Sequence, residues 1–96
     1  MITLLSAPSN LGLRPPEHGS VPGAAKAPEA LREAGLFRRF GELGARESGV
    51  VLSGRYVDDD DTRAAGLVRN QEAMLDHTRR LAERLGRLLD AGEAPL

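Results

Sequence analysis

The chain holds two imidazoles, His18 and His77, and one unbroken run of four carboxylates, Asp58 to Asp61. Imidazole and carboxylate hold metal ions and move protons, so their spacing decides which chemistry is open. No HxH or HxxxH pattern surrounds either histidine, and there is no cysteine to complete a zinc set. His77 falls at the edge of an apolar helical stripe, one turn from Met74 and Leu81. A boundary side chain reaching out to solvent is expected there. His18, in Pro16-Glu17-His18-Gly19, is expected to be a loop histidine with no special role. The aspartate run lacks the alternating ligands, central glycine and distant glutamate of a calcium loop. Four adjacent carboxylates repel one another, and a solvated acidic loop is expected. Ser6, Ser9, Ser20, Ser48 and Ser53 sit in no GxSxG elbow. The glycines spell no GxGxxG, and no Walker lysine follows them, so a phosphate cradle has no support.

The best candidate for function is the Pro/Gly-rich stretch from Pro8 to Ala27. Pro8, Ser9, Asn10, Gly12, Pro15, Pro16, Gly19, Ser20, Pro22 and Gly23 leave no room for a helix or a strand. Loops of this length inside a domain tend to be functional or disordered. In open parallel sheets, ligands sit beyond the carboxyl ends of the strands, and this loop leaves such an end. Ser9, Asn10 and Arg14 are the candidate substrate-rim residues, Arg14 offering a planar donor fork to a carboxylate. The competing reading is a loop that only packs between helices or subunits.

The elements that must position these residues follow from the apolar pattern. Ile2 to Leu5 is a short apolar run with β-branched members, closed by Ser6, Ala7 and Pro8, and predicts a buried strand. Pro28 and Glu29 suit a first helical turn, Ala30, Leu31 and Ala34 give a small apolar face, and Gly35 ends it. Leu36 to Phe40 predicts a further turn bounded by Gly41 and Gly44. Gly49 to Ser53 predicts a second strand, and Arg55 to Gly66 a polar loop. From Leu67 to Ala91, Leu67, Val68, Met74, Leu75, Leu81, Ala82, Leu85, Leu88 and Leu89 share one stripe at helical period. Such a helix is roughly 37 Å long. Asp76–Arg80 and Glu83–Arg87 have the favourable acid-first spacing, worth about 0.3–0.5 kcal/mol each. Gly92 and Pro95 read as its stop.

The order is strand, loop, helix, strand, loop, long helix, which implies an α/β layer on a parallel sheet with right-handed crossovers. The chain of 96 residues allows one small domain with a thin core, burying about 60–65% of its unfolded surface. Two strands make a poor sheet, and the long apolar stripe lacks a floor, so the chain reads as unfinished. Its net charge of −1 gives no basic excess for nucleic acid. No signal peptide or membrane span is visible, and the absence of cysteine fits a reducing compartment, so a cytoplasmic location is expected.

These residues resemble the opening of the arginase/agmatinase/formiminoglutamase family, the ureohydrolases. Ser6-Ala7-Pro8-Ser9-Asn10-Leu11-Gly12 looks like the family's first strand and following turn. Gly23 to Leu36, GAAKAPEALREAGL, is similar to its Gly-Pro-x-x-Leu-Arg-x-Ala-Gly-Leu helix start, with Ala27 in place of the usual glycine. Arg69-Asn70 before the long helix follows the family's order. Asp90 to Leu96 resembles the approach to the strand that carries its first metal motif.

The resemblance covers almost the whole chain and implies a partial three-layer α/β/α parallel sheet, truncated. Residues 1–96 would be the N-terminal part of a ureohydrolase-like α/β domain. It implies a hydrolase of guanidino or amidino C–N bonds, in which two manganese ions activate a bridging hydroxide. The family's Gly-Gly-Asp-His, Asp-Ala-His-x-Asp and Asp-x-Asp-x-x-Asp motifs do not occur here. No catalytic or metal residue carries over, no cofactor is expected on this chain, and the chain alone is expected to be inactive. The parent would be a homo-oligomer, and the chain would need its C-terminal portion or a self-association partner. The alternative is a small non-enzymatic interaction protein using the amphipathic helix 67–91, with Leu81, Leu85, Leu88 and Leu89 driving self-association.

Overall fold

The apolar run that opens the chain forms β1 (Ile2–Ser6), the centre of a three-stranded parallel sheet. β2 (Arg46–Val50) and β3 (Ala94–Pro95) flank it in the order β2-β1-β3. The computed structural model describes all 96 residues. A central strand is covered on both edges and both faces, which is why Thr3 and Leu4 are buried while the flanking strands stay largely exposed. The chain passes from β1 to β2 through a 3₁₀ turn (Gly23–Lys26), α1 (Ala27–Glu33) and α2 (Leu36–Glu42). It returns from β2 to β3 through α3 (Gln71–Asp90).

The two crossovers run in opposite directions across β1, so right-handed connections put α1 and α2 on one face and α3 on the other. This is the predicted α/β/α layering. The Cα extents are 47 × 30 × 14 Å. Strands about 4.8 Å apart and layers about 10 Å apart assign the narrow dimension to the sheet's width and 30 Å to its layers. The molecule is a slab three strands wide.

Pro28 lies in the first turn of α1, where its missing N–H costs nothing. Gly35 ends that helix at φ 94°, and its N–H bonds the Arg32 carbonyl at 3.0 Å. The Arg32 guanidinium then stacks 4.1 Å over the Phe37 ring, joining α1 to α2.

Two predicted boundaries are corrected. β2 comes three residues before the expected Gly49–Ser53 and uses Arg46, Glu47 and Ser48. Pairing dictates this register: Thr3 faces Arg46, Leu4 faces Glu47, and Ser6 faces Val50 across an irregularity that takes up Gly49 at φ 85°. As an edge strand β2 tolerates polar side chains, which also deter further pairing. α3 begins at Gln71 and not at Leu67. Gly66 (φ 84°) and Asn70 (φ 51°) both adopt left-handed backbone that no α-helix can contain. The expected Asp76–Arg80 and Glu83–Arg87 pairs form, at 3.0 and 3.9 Å. Pro95 does more than stop a helix, since it lies in β3, where Leu96 N–H bonds the Thr3 carbonyl at 2.9 Å.

α3 lies on the sheet unevenly. At 100° per residue, Ala73, His77 and Arg84 share its inner face. The Arg84 guanidinium donates to Ser48, both to its carbonyl and, at 3.1 Å, to its Oγ. Arg80, Glu83 and Arg87 form a polar flank beside the end of β2. Met74, Leu81 and Leu88 form an apolar flank on the opposite side, where the Leu88 carbonyl accepts from Glu93 N–H at 2.9 Å. That flank faces β3. Glu93 clamps the N-terminal ends of the strands together, accepting from Thr3 Oγ1 at 2.7 Å and from the Arg46 guanidinium. The Thr3 hydroxyl first, and the Arg46 charge after it, hold its carboxyl below the usual range.

The Gly35→Ala variant should lose about 1–2 kcal/mol, because a Cβ strains the left-handed backbone. That Cβ would also sit 3.1 Å from the Arg38 guanidinium. Urea unfolding followed by helical circular dichroism measures it, and an unchanged midpoint would contradict the assigned role.

Candidate functional site

Two long loops leave the carboxyl ends of neighbouring parallel strands, residues 7–22 after β1 and residues 51–70 after β2. Their helices lie on opposite faces, so the loops part at a switch point, where open α/β sheets take ligands. The buried hydrophobic side chains are Leu4, Leu11, Val51 and Tyr56, Leu11 completely so, and the last three lie in the two loops. The best-packed part of the molecule is therefore this end of the sheet.

Hydrogen bonds lock the loops to one another. Asn70 uses its backbone and both side-chain groups. Its N–H donates to Asp59 Oδ2 at 3.0 Å, and its Oδ1 accepts from Val57 N–H at 3.0 Å. Its Nδ2 donates to the Leu11 carbonyl at 3.0 Å, and its own carbonyl accepts from Met74 N–H at 2.9 Å. Tyr56 Oη donates to the Leu13 carbonyl at 2.8 Å, and Arg69 reaches the Gly12 carbonyl at 3.2 Å. Gly19 N–H donates to Asp58 Oδ2 at 2.8 Å.

The aspartate run is corrected by this arrangement. Asp58 accepts from Gly19, Asp59 from Asn70 and Arg63, and Asp60 from Arg63 and Arg69. Asp61 alone accepts no hydrogen bond and stays in solvent, its side chain 80% exposed, while Asp60 is exposed but held by its arginines. Backbone donors and two arginines from the same loop relieve the repulsion that the bare sequence implies. The Arg63 hydrogen bond, with Arg69 behind it, holds the Asp60 carboxyl below the ordinary aspartate value.

His77 is corrected too. It is the one buried residue of α3, and its Nε2 lies 2.9 Å from the Val51 carbonyl. Strand pairing has ended there, so that carbonyl needs a donor, and the contact assigns the proton to Nε2.

The three rim candidates separate. Ser9 Oγ accepts a long 3.4 Å bond from Leu11 N–H. Asn10 is buried, with Nδ2 on the Pro22 carbonyl at 2.9 Å, and so closes the loop from within. Arg14 lines an open cleft of about 430 Å³ with Glu17, His18, Asp58, Asp60 and Asp61. His18 Nδ1 lies 3.9 and 3.8 Å from Asp58 and Asp61. Pro15 and Pro16 complete the cleft wall, and its charged lining suits a charged ligand.

It does not suit two hard cations. No three ligating side chains converge on one point, and the most sheltered carboxylates already accept from arginine and backbone donors. The residues that organise the site, Asn70, Tyr56, Asp59 and Arg69, escape sequence reasoning as a group. A lone tyrosine in a polar loop and an Arg-Asn pair before a helix were their only signals.

No known protein family, curated protein or solved structure matches the chain. No helix is long and apolar enough to cross a membrane.

Asn70→Ala should cost about 2–4 kcal/mol, since it strands the Leu11 carbonyl and the Val57 N–H. Asn70→Asp keeps the acceptor for Val57 but sets a carboxylate oxygen against the Leu11 carbonyl, so it should cost at least as much as alanine, and a smaller loss in urea unfolding would contradict the assigned donor role. Tyr56 offers a cleaner readout, being the one tyrosine in a chain without tryptophan. Burial raises its phenol pKa, with Arg69 opposing. Its contribution to stability is present below the ordinary tyrosine value and is lost as pH rises through the raised one. Phenolate absorbance should titrate at higher pH in the folded chain than in urea, and coincident midpoints would contradict the assignment.

Proposed function

We propose that these residues form the opening part of a manganese-dependent ureohydrolase-type domain, carrying its scaffold and none of its metal ligands. The observation that carries this reading is the incomplete apolar cover beside β3. The β2 edge mixes exposed Val50 and Leu52 with Arg80, Glu83 and Arg87. Beside β3, apolar side chains are only partly covered on both faces. One face has half-buried Leu81 and Leu88, and the other a cavity of about 250 Å³ whose walls include Leu5, Leu31, Phe37 and Leu96.

Parallel sheets are covered on both faces, so partial cover at this edge fits a sheet that continues past β3. The surface area agrees. A compact monomer of 10.3 kDa exposes about 5,350 Å², whereas this chain exposes 6633 Å². The excess of about 1,300 Å² is in keeping with a thin slab whose apolar faces are incompletely covered.

The family resemblance in Ser6 to Gly12, Gly23 to Leu36 and Arg69-Asn70 supplies the identity of the larger domain. In that reading the metals would lower the pKa of a bridging water, held by motifs that residues 1–96 do not contain. What this chain contributes is position. Asn70 fixes both loops at the carboxyl end of the sheet, and Arg14 presents a donor fork at the cleft rim. A second reading, a non-enzymatic interaction protein working through α3, is favoured by the exposure of Leu75 and Leu89.

Coding sequence downstream of the Leu96 codon tests the first reading. A frame that continues into Gly-Gly-Asp-His supports it, and one that continues without any of the three metal motifs overturns it. The 96-residue chain itself should release no urea from arginine or agmatine with manganese, and calorimetry should show no stoichiometric manganese binding.

A further inference from the structure

We propose that α3 pairs antiparallel with α3 of a second copy of this chain, across the face turned away from the sheet. Leu75, Ala82 and Leu89 recur every seven residues, with Thr78 and Leu85 between them. This is the spacing of a two-helix coiled-coil seam, with the Thr78 hydroxyl as its one polar member. Leu75 is 47% and Leu89 61% exposed. The seam points about 140° away from the inner face of Ala73, His77 and Arg84, and so is distinct from the β3-side flank. The pairing therefore holds under either functional reading.

Gly86 indicates what covers the seam. A glycine inside a helix costs about 1 kcal/mol relative to alanine. Nothing in the chain lies within 4 Å of where its side chain would be, so no internal contact requires it. A missing side chain on an outer face permits close approach of another backbone, and Ala82 lies beside it on the same face.

Charge favours a second copy as that neighbour. Arg79 and Asp90, on the rim of the seam, make no ion pair within the chain, unlike Arg80 with Asp76 and Arg87 with Glu83. A twofold axis near Ala82 sets Leu75 of one copy against Leu89 of the other. It lays Arg79 over the other copy's Gly86, between its Glu83 and Asp90, and symmetry makes this contact twice.

Light scattering on the intact chain, over a hundredfold range of concentration, tests the pairing. The expected result is a reversible dimer at twice 10.3 kDa. A monomer throughout, or association that Gly86→Gln and Arg79→Asp leave unchanged, overturns it. Gly86→Gln raises helix propensity and should keep the fold while abolishing the dimer. Arg79→Asp should weaken dimerisation by about tenfold, and Arg79→Asp with Asp90→Arg should restore it. A dimer that persists unchanged in Gly86→Gln and Arg79→Asp would show that another surface mediates it.

Discussion

The Asn70 side chain joins three segments that are far apart in sequence, and the rest of this molecule depends on that junction. A slab three strands wide cannot enclose a large apolar core, so it needs another source of order. Here the source is a buried amide in a left-handed backbone, satisfied by Asp59, Val57, Leu11 and Met74. Each of these bonds contributes modestly when made, but a buried polar group left unpaired costs about 1–3 kcal/mol. The geometry is therefore close to all-or-none. Asn is suited to this position because it tolerates positive φ and offers both a donor and an acceptor.

The same logic orders the two ends of the sheet differently. At the amino end Glu93 bridges Thr3 and Arg46, so one carboxylate binds the three strands without apolar burial. At the carboxyl end Leu11, Val51 and Tyr56 are buried beneath interlocked loops, and His77 bonds the Val51 carbonyl where the β2 connection begins. Loops more often carry variable, mobile chain than a core. In this molecule they are the best-packed part, as required of a frame that must hold a cleft in a fixed shape.

Much of the fold was legible because local chemistry decided it. The β1 run, Pro28 and Gly35 around α1, the acid-first pairs on α3 and the parallel α/β order all follow from short-range pattern. What escaped was decided by partners distant in sequence. β2 pairs through Arg46 to Ser48 because register with Thr3 and Leu4 outweighs the hydrophobicity of Val51 and Leu52. The start of α3 is set by Asn70, whose role needs Leu11 and Asp59 in place. The aspartates read as mutually repelling until Gly19, Arg63 and Arg69 supply their donors. His77 sat at the edge of the apolar stripe because that stripe is centred on the β3-side flank. The face that meets the sheet is rotated away from it.

That rotation bears on function. A helix serving only to cover this sheet would direct its apolar stripe at β1 and β2. Instead α3 presses Ala73, His77 and Arg84 against the connection and the edge strand, and holds Met74, Leu81 and Leu88 towards β3. The apolar cavity on the other face also borders Leu96. The half-covered apolar side chains of both layers thus meet beside β3, while the cleft at Arg14 lies at the carboxyl end of β1 and β2, held by the interlocked loops. Cover of the sheet and shape of the cleft are therefore set by separate contacts.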